Sequence, residues 1–287
     1  MAGTGKIGVI AGRGTLPAHL ARTLAERGGE VVLAAMDGYA VENPDGRPLI
    51  RFRVEKLGAL FKALRAEGVR DLVFAGAVQR PRLDPVQFDF KTMTLAAKFV
   101  PALKGGDDAL LRTVIQIFET EGFAVRAAHE LAPELLPLSG VLTRAQPGDR
   151  DRKDAARAAR IVSALAAADV GQGAIVAQGV ALAVEAAPGT DAMLAWVAGP
   201  AGASRPDPSG ARGVLFKGPK PGQDRRIDLP AIGPATIAGA AAAGLSGVAI
   251  EAGGVMVLDR AEVVAAADAA GLFLWVRPAD PGSGSSG

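Results

Sequence analysis

In KPGQDRRIDLPAIGP, residues 220–234, Asp224 and Asp228 stand among Lys220, Arg225 and Arg226, fenced by Pro221, Pro230 and Pro234. Lys217 lies just upstream, and Glu251 closes the later apolar run GVAI. The carboxylate oxygens of Asp224, Asp228 and Glu251 suit a hard cation such as Mg²⁺, and Lys217, Lys220 and Arg225 can neutralise phosphate oxygens. Phosphoryl chemistry asks for that combination: positive charge where negative charge develops, and an acid that holds the ion or orients water. A solvated surface loop has the same composition, so the stretch alone leaves both readings open.

Three other segments carry chemistry-bearing residues. AGRGTLP, residues 11–17, places Gly12 and Gly14 where a strand turns into a helix. Glycine there permits close backbone approach, and the helix N-terminus offers free N–H groups to a phosphate. The dinucleotide fingerprint is partial, because Pro17 takes the place of its third glycine, and a tight turn uses glycine for steric reasons as well. In KGGDDALLR, residues 104–112, Asp107 or Asp108 can cap a helix, which leaves the other acid for a ribose hydroxyl or a metal. DVGQGAIVAQGVALAVEAAPGTDAML, residues 169–194, reads as a hairpin with Glu185 near its end and Thr190 and Asp191 at the next helix start. Thr190 or Asp191 is an N-cap on one reading and part of a site on the other.

The elements that must position these residues alternate between strand and helix. KIGVIA (6–11), VVLAAM (31–36) and DLVFAGAV (71–78) are short apolar runs, with amphipathic stretches LPAHLARTLAERGG and LGALFKALRAEG between them. That order predicts a parallel sheet covered on both faces. Residues 92–122 read as mostly helical, and FAVRAA adds a strand. LSGVLTRAQPGDRDR, 138–152, is polar and broken by Gly and Pro, and is read as a linker. Beyond it come a helix, DRKDAARAARIVSALAAAD, a hairpin turning at Gln178 and Gly179, a strand GVLFK and a helix over 235–243. Two short strands around Gly253 and Gly254, a helix over 260–270 and a last strand LFLWV follow. The expected organisation is therefore a first domain over 1–137, a linker 138–152, a mixed α/β domain 153–278 and a flexible tail 279–287.

Composition excludes several function classes. Lys and Arg total 32 against 30 Asp and Glu, arginine is scattered, and there is one Tyr and two Trp, so the basic and aromatic signature of nucleic-acid binding is missing. Without Cys there is no thiolate nucleophile or thiolate metal site, and two histidines, His19 and His129, cannot build a multi-histidine centre. No apolar run approaches the roughly 18 residues of a membrane span, which fits a cytoplasmic protein that contacts a membrane peripherally.

Together the segments IGVIAGRGTLP, KGGDDALLRTVIQIFETEGF, DVGQGAIVAQGVALAVEAAPGTDAML, KPGQDRRIDLPAIGPATI and GVAIEAGGVMVLDRAEVVAAADAAGLF resemble, in order and over nearly the whole chain, the LpxI-type UDP-2,3-diacylglucosamine pyrophosphatases of lipid A synthesis. The resemblance implies an N-terminal Rossmann-like parallel-sheet domain and a C-terminal mixed α/β domain. It implies a Mg²⁺-dependent hydrolase, with Mn²⁺ as an alternative ion, in which water attacks the sugar-side phosphorus of the pyrophosphate. UMP and 2,3-diacylglucosamine 1-phosphate would be released, and a homodimer is compatible with it. Asp228 matches the family's catalytic aspartate and Lys217 would meet a phosphate; Asp228, Asp191 and Glu251 are the metal candidates. The nucleotide and substrate candidates are Ala11, Gly12, Gly14, Leu16, Gly76, Val78, Gly106, Asp107, Gln172, Thr190, Asp191 and Lys220. Two competing readings remain: a dinucleotide-dependent oxidoreductase, from the strand–GxG–helix opening, and a non-catalytic UDP-sugar-binding protein.

Overall fold

The computed structural model describes residues 5–78, 83–102, 107–220, 224–227 and 229–279, without the side chains of residues 107 and 108. Asp228, Gly106 and the tail beyond residue 279 therefore lie outside the described residues. The chain divides into two compact units: Met1–Pro133 with Asp224–Asp228, and Glu134–Gln223 with Leu229–Gly287.

The first unit runs β1 (Lys6–Ala11), α1 (Leu16–Glu26), β2 (Val31–Met36), β3 (Leu49–Phe52), α2 (Leu57–Ala66), β4 (Val69–Ala75), α3 (Phe90–Ala102), α4 (Asp107–Thr120), β5 (Ala124–Arg126) and α5 (Ala128–Leu131). Its five strands form one parallel sheet in the order β3-β2-β1-β4-β5. β1 and β2 are buried along almost their whole length, as parallel strands with helices on both faces must be. β3 is absent from the sequence expectation: LIRF is four residues long, half exposed and at the sheet edge, so neither its length nor its burial pattern announces a strand. The strand expected over 71–78 ends at Ala75 instead, because Gly76 takes φ +87° and turns the chain. Phe118 anchors the core, meeting Phe61 and Phe74 edge-on at centroid distances of 5.2 Å each.

The second unit runs β6 (Gly140–Val141), α6 (Asp149–Ala167), β7 (Gly173–Ala177), β8 (Val180–Val184), α7 (Gly189–Ala198), β9 (Val214–Lys217), β10 (Ala231–Ile232), α8 (Pro234–Ala242), β11 (Gly247–Glu251), β12 (Met256–Val257), α9 (Arg260–Ala269) and β13 (Phe273–Arg277). Six strands make a mixed sheet in the order β6-β13-β11-β9-β7-β8, and β10 pairs with β12 separately. Strand alternation splits the core into two layers. Ala174, Val176, Val214, Phe216, Ala249 and Phe273 face the alanine stripe of α6, Ala155, Ala158, Ala159 and Val162. Ile175, Leu215, Val248, Ile250 and Leu274 face the other way, with Leu194, Ile237 and Val263 from α7, α8 and α9. The stretch 138–152 read as a linker holds β6 and the first turn of α6. Its Gly, Pro and charges serve a short edge strand and a capped helix start, where the Asp151 carboxylate accepts from the Gly148 N–H at 2.9 Å.

The hairpin turn falls at Gln178 and Gly179, with φ +54° and +80°. Both positive values match the tight turn that right-twisted strands prefer. Asp154, buried on α6, accepts from both turn amides, at 2.8 Å from Gln178 and 2.7 Å from Gly179.

Candidate functional site

In the first unit, the strand ends that carry the glycine candidates are neighbours. β1 and β4 pair in parallel through Ala11 and Ala75, and beyond them Arg13 and Ala77 bond antiparallel, N–H to carbonyl, at 2.8 and 2.9 Å. A Cβ on Gly12 would lie 2.6 Å from the Ala77 carbonyl oxygen, and one on Gly76 would collide with the Arg13 carbonyl. These two glycines therefore let two backbones meet. The amides of Gly12 and Arg13 are spent on Ala75 and Ala77, so a phosphate at this turn would be met by Gly14 and the first turn of α1. Gly14, at φ +97°, has open space where a side chain would stand. Ala11 and Leu16 are buried, while Val78 is exposed. The order of the sheet reverses between β1 and β4, which is where ligands lie in open parallel sheets, outside the carboxyl ends of the strands. Asp107 is the first residue of α4.

The segment Asp224–Asp228 belongs to this unit. Arg226 donates to Asp224 at 2.7 Å and to Glu119 of α4 at 2.7 Å, and Ile227 packs against the aromatic core. Hydrogen bonds from Arg226 hold the Asp224 carboxyl below its ordinary value, with Arg112 adding to the effect. Asp224 thus serves to fix Arg226.

In the second unit, Lys217 ends β9 and Glu251 ends its parallel neighbour β11. β7 runs the opposite way, so Gly173 pairs with Lys217 and Gln172 just precedes it; the Gly218 N–H donates to the Gln172 carbonyl at 3.0 Å. β8 returns to the same edge, where the Glu185 N–H donates to Gly173. Four strands thus deliver Gln172, Glu185, Lys217 and Glu251 to one end of the sheet, and Thr190 and Asp191 join from the first turn of α7.

The ammonium of Lys217, 7% exposed, donates to Thr190 Oγ1 at 2.7 Å and to the Ala231 carbonyl at 3.3 Å. Having accepted from the lysine, the threonine hydroxyl donates onward to Glu185 Oε1 at 2.9 Å. Glu185 Oε1 is 3.9 Å from the ammonium, and Oε2 is buried with no hydrogen-bond partner. Burial pushes the Lys217 pKa below its ordinary value, against the pull of Glu185 and Asp191. A buried cation with a fixed hydroxyl beside it and a buried carboxylate oxygen that has no hydrogen-bond partner is suited to bind and polarise an anionic, hydroxyl-bearing ligand.

Thr190 and Asp191 do not cap α7, whose N-cap is Pro188. The helix starts one residue before Thr190, which frees its hydroxyl for the lysine. Lys220 pairs with Asp169 at 2.6 Å. Glu185 is the residue that sequence reasoning leaves out of the site. Its signal is slight: it is the single acid of the apolar run GAIVAQGVALAVEA. Among the described residues no three His, Asp or Glu side chains gather as a metal site. Asp191, exposed, and Glu251, half-buried, are both described and offer the hard oxygen donors that Mg²⁺ takes.

The family models of the LpxI N-terminal and C-terminal domains match residues 6–135 and 138–275. A curated relative from Caulobacter vibrioides, named UDP-2,3-diacylglucosamine pyrophosphatase LpxI, is 42% identical over 269 residues, covering 94% of this chain and 96% of its own. Among solved structures, Thermus thermophilus UDP-glucose 4-epimerase with NAD is 16% identical, with a TM-score of 0.32 over 96% of this chain and 88% of that one. Bordetella bronchiseptica WbmG with NAD and UDP is 17% identical, with a TM-score of 0.27 over 42% and 36% of the two chains. Superpositions at that level carry no argument about ligand or activity.

Proposed function

The chain belongs to the LpxI family, and from that membership we propose that it hydrolyses the pyrophosphate of UDP-2,3-diacylglucosamine to UMP and 2,3-diacylglucosamine 1-phosphate in lipid A synthesis. The observation that carries the proposal is the 42% identity to a relative of that name across nearly the full length of both chains. In the reaction a water oxygen bonds to the sugar-side phosphorus, the P–O bond to the bridging oxygen breaks, and UMP leaves with that oxygen. Lys217 places a positive charge at the phosphate oxygens, and its geometry is held by Thr190 and Glu185. Asp228 orients the water or holds the cation. Gly14 and the first turn of α1 receive the nucleotide phosphate.

When bound, Mg²⁺ would be held by Asp191 and Glu251 of the second unit and would supply Lewis-acid stabilisation of the phosphate charge; Asp228, the third metal candidate, lies outside the described residues. Purified protein supplied with Mg²⁺ is expected to release UMP from the diacylated UDP-sugar, and EDTA is expected to stop it. Release that persists in EDTA would remove the metal and keep the hydrolase. No release with Mg²⁺ or Mn²⁺, alongside tight binding of NAD, would return the chain to the oxidoreductase reading. Asp228→Ala is expected to fold and to lose nearly all turnover.

A further inference from the structure

We propose that the outward face of α3 is a membrane-docking surface, on which the protein rests against the headgroups of an anionic phospholipid bilayer. The inference rests on the diacylated substrate of the proposed function and adds to it the place where the enzyme meets the lipid phase.

α3 is apolar on two opposite sides. Successive residues turn about 100° around a helix axis, so Thr92, Leu95 and Phe99 share one stripe, and all three are buried against the core of the first unit. Phe90, Met93, Ala97 and Val100 form the stripe on the far side. There Phe90 is 84% exposed, Met93 60% and Val100 39%. Val86, on the short turn Pro85–Gln87 just ahead of the helix, is 92% exposed. Scattered apolar side chains on a surface need no explanation, but these are concentrated. Among the described residues of the first unit, every large exposed hydrophobic except Val78 falls between Val86 and Val100.

Charge selects the partner. The sequence of α3, FKTMTLAAKFVPA, has two lysines and no acid. Lys98 is exposed beside the apolar stripe, and Lys91 is tied to Glu121 of the same unit. Of the acids just ahead, half-buried Asp89 accepts from the Thr92 and Ala59 amides, and exposed Asp84 accepts from the Val86 amide and the Gln87 side chain. A helix with an exposed apolar stripe, two lysines and no acid of its own, and with the acids ahead of it engaged by amide donors, matches an anionic bilayer surface, where apolar side chains enter the acyl boundary and ammonium groups meet lipid phosphates.

The test is flotation of the full-length protein with phosphatidylglycerol-containing vesicles and with pure phosphatidylcholine vesicles. The parent protein is expected to float with the anionic vesicles, and F90S/M93S to partition at least about tenfold more weakly. K98E should lose binding to the anionic vesicles only, and a control on the second unit, W196S, should float as the parent does. UMP release from detergent-dispersed substrate is expected to be unchanged in F90S/M93S. Parent protein that stays at the bottom of the gradient would overturn the proposal, as would F90S/M93S floating equally well. A concentration-dependent dimer lost in F90S/M93S would give the stripe to a second copy of the chain instead. Flotation without any UMP release in the parent would leave the docking surface standing and remove the proposed substrate.

Discussion

Lys217 is costly to keep. Its ammonium is removed from water and compensated by a hydroxyl, a carbonyl and a carboxylate 3.9 Å away. Lys217→Met should therefore fold at least as stably as the parent while losing roughly 10²- to 10³-fold in UMP release, read from thermal melting and steady-state kinetics together. The pH dependence has a definite sign. Because the folded-state pKa lies below the ordinary 10.5, the unfolded chain binds more protons in the window between the two values, and stability rises with pH there. Denaturant titrations across that window should show this rise in the parent and its loss in Lys217→Met. Residue identity in the sequence marks Lys217, Thr190 and Asp191 because they fall in motifs. Glu185 escapes because a single acid at a strand end looks like any solvated hairpin terminus, and only the fold reveals that its Oε2 is buried.

Elements are positioned by carboxylates, one of them the buried Asp154. Asp154 holds both amides of the Gln178–Gly179 turn and so sets the register in which β8 delivers Glu185. Asp154→Ala leaves those amides without their acceptor and is expected to cost about 2 kcal/mol, measured by chemical denaturation. On the first unit, Arg226 depresses the pKa of Asp224, so this carboxylate adds stability above its ordinary 3.8 and gives it up as pH falls through the lowered folded value. Asp224→Asn should flatten the acid side of the stability profile, with the change absent at pH values below both pKa values. Element boundaries were legible where apolar runs end in Gly or a polar pair: β1, β2 and the hairpin fall on the expected residues. β3, β6, β10 and the early start of α7 were not, because edge strands of two to four residues and a helix beginning at Gly189 carry no periodicity of their own.

At the scale of the molecule, the two architectures predicted from sequence, a parallel first sheet and a mixed second one, follow from the alternation of strands and helices and from the hairpin. What sequence order hides is that the first unit is assembled from two separate stretches of chain, Met1–Pro133 and Asp224–Asp228. Ile227, from the second stretch, is a neighbour of the Phe-rich core formed by the first. During synthesis the ribosome delivers the whole parallel sheet well before it delivers Asp224–Asp228. The nascent N-terminal portion must therefore wait, with the Ile227 side of its core uncovered and Glu119 without its arginine, until most of the second unit has been made. The candidate catalytic aspartate arrives with that closing stretch, so the completion of the first core and the arrival of Asp228 are one event in the life of the chain.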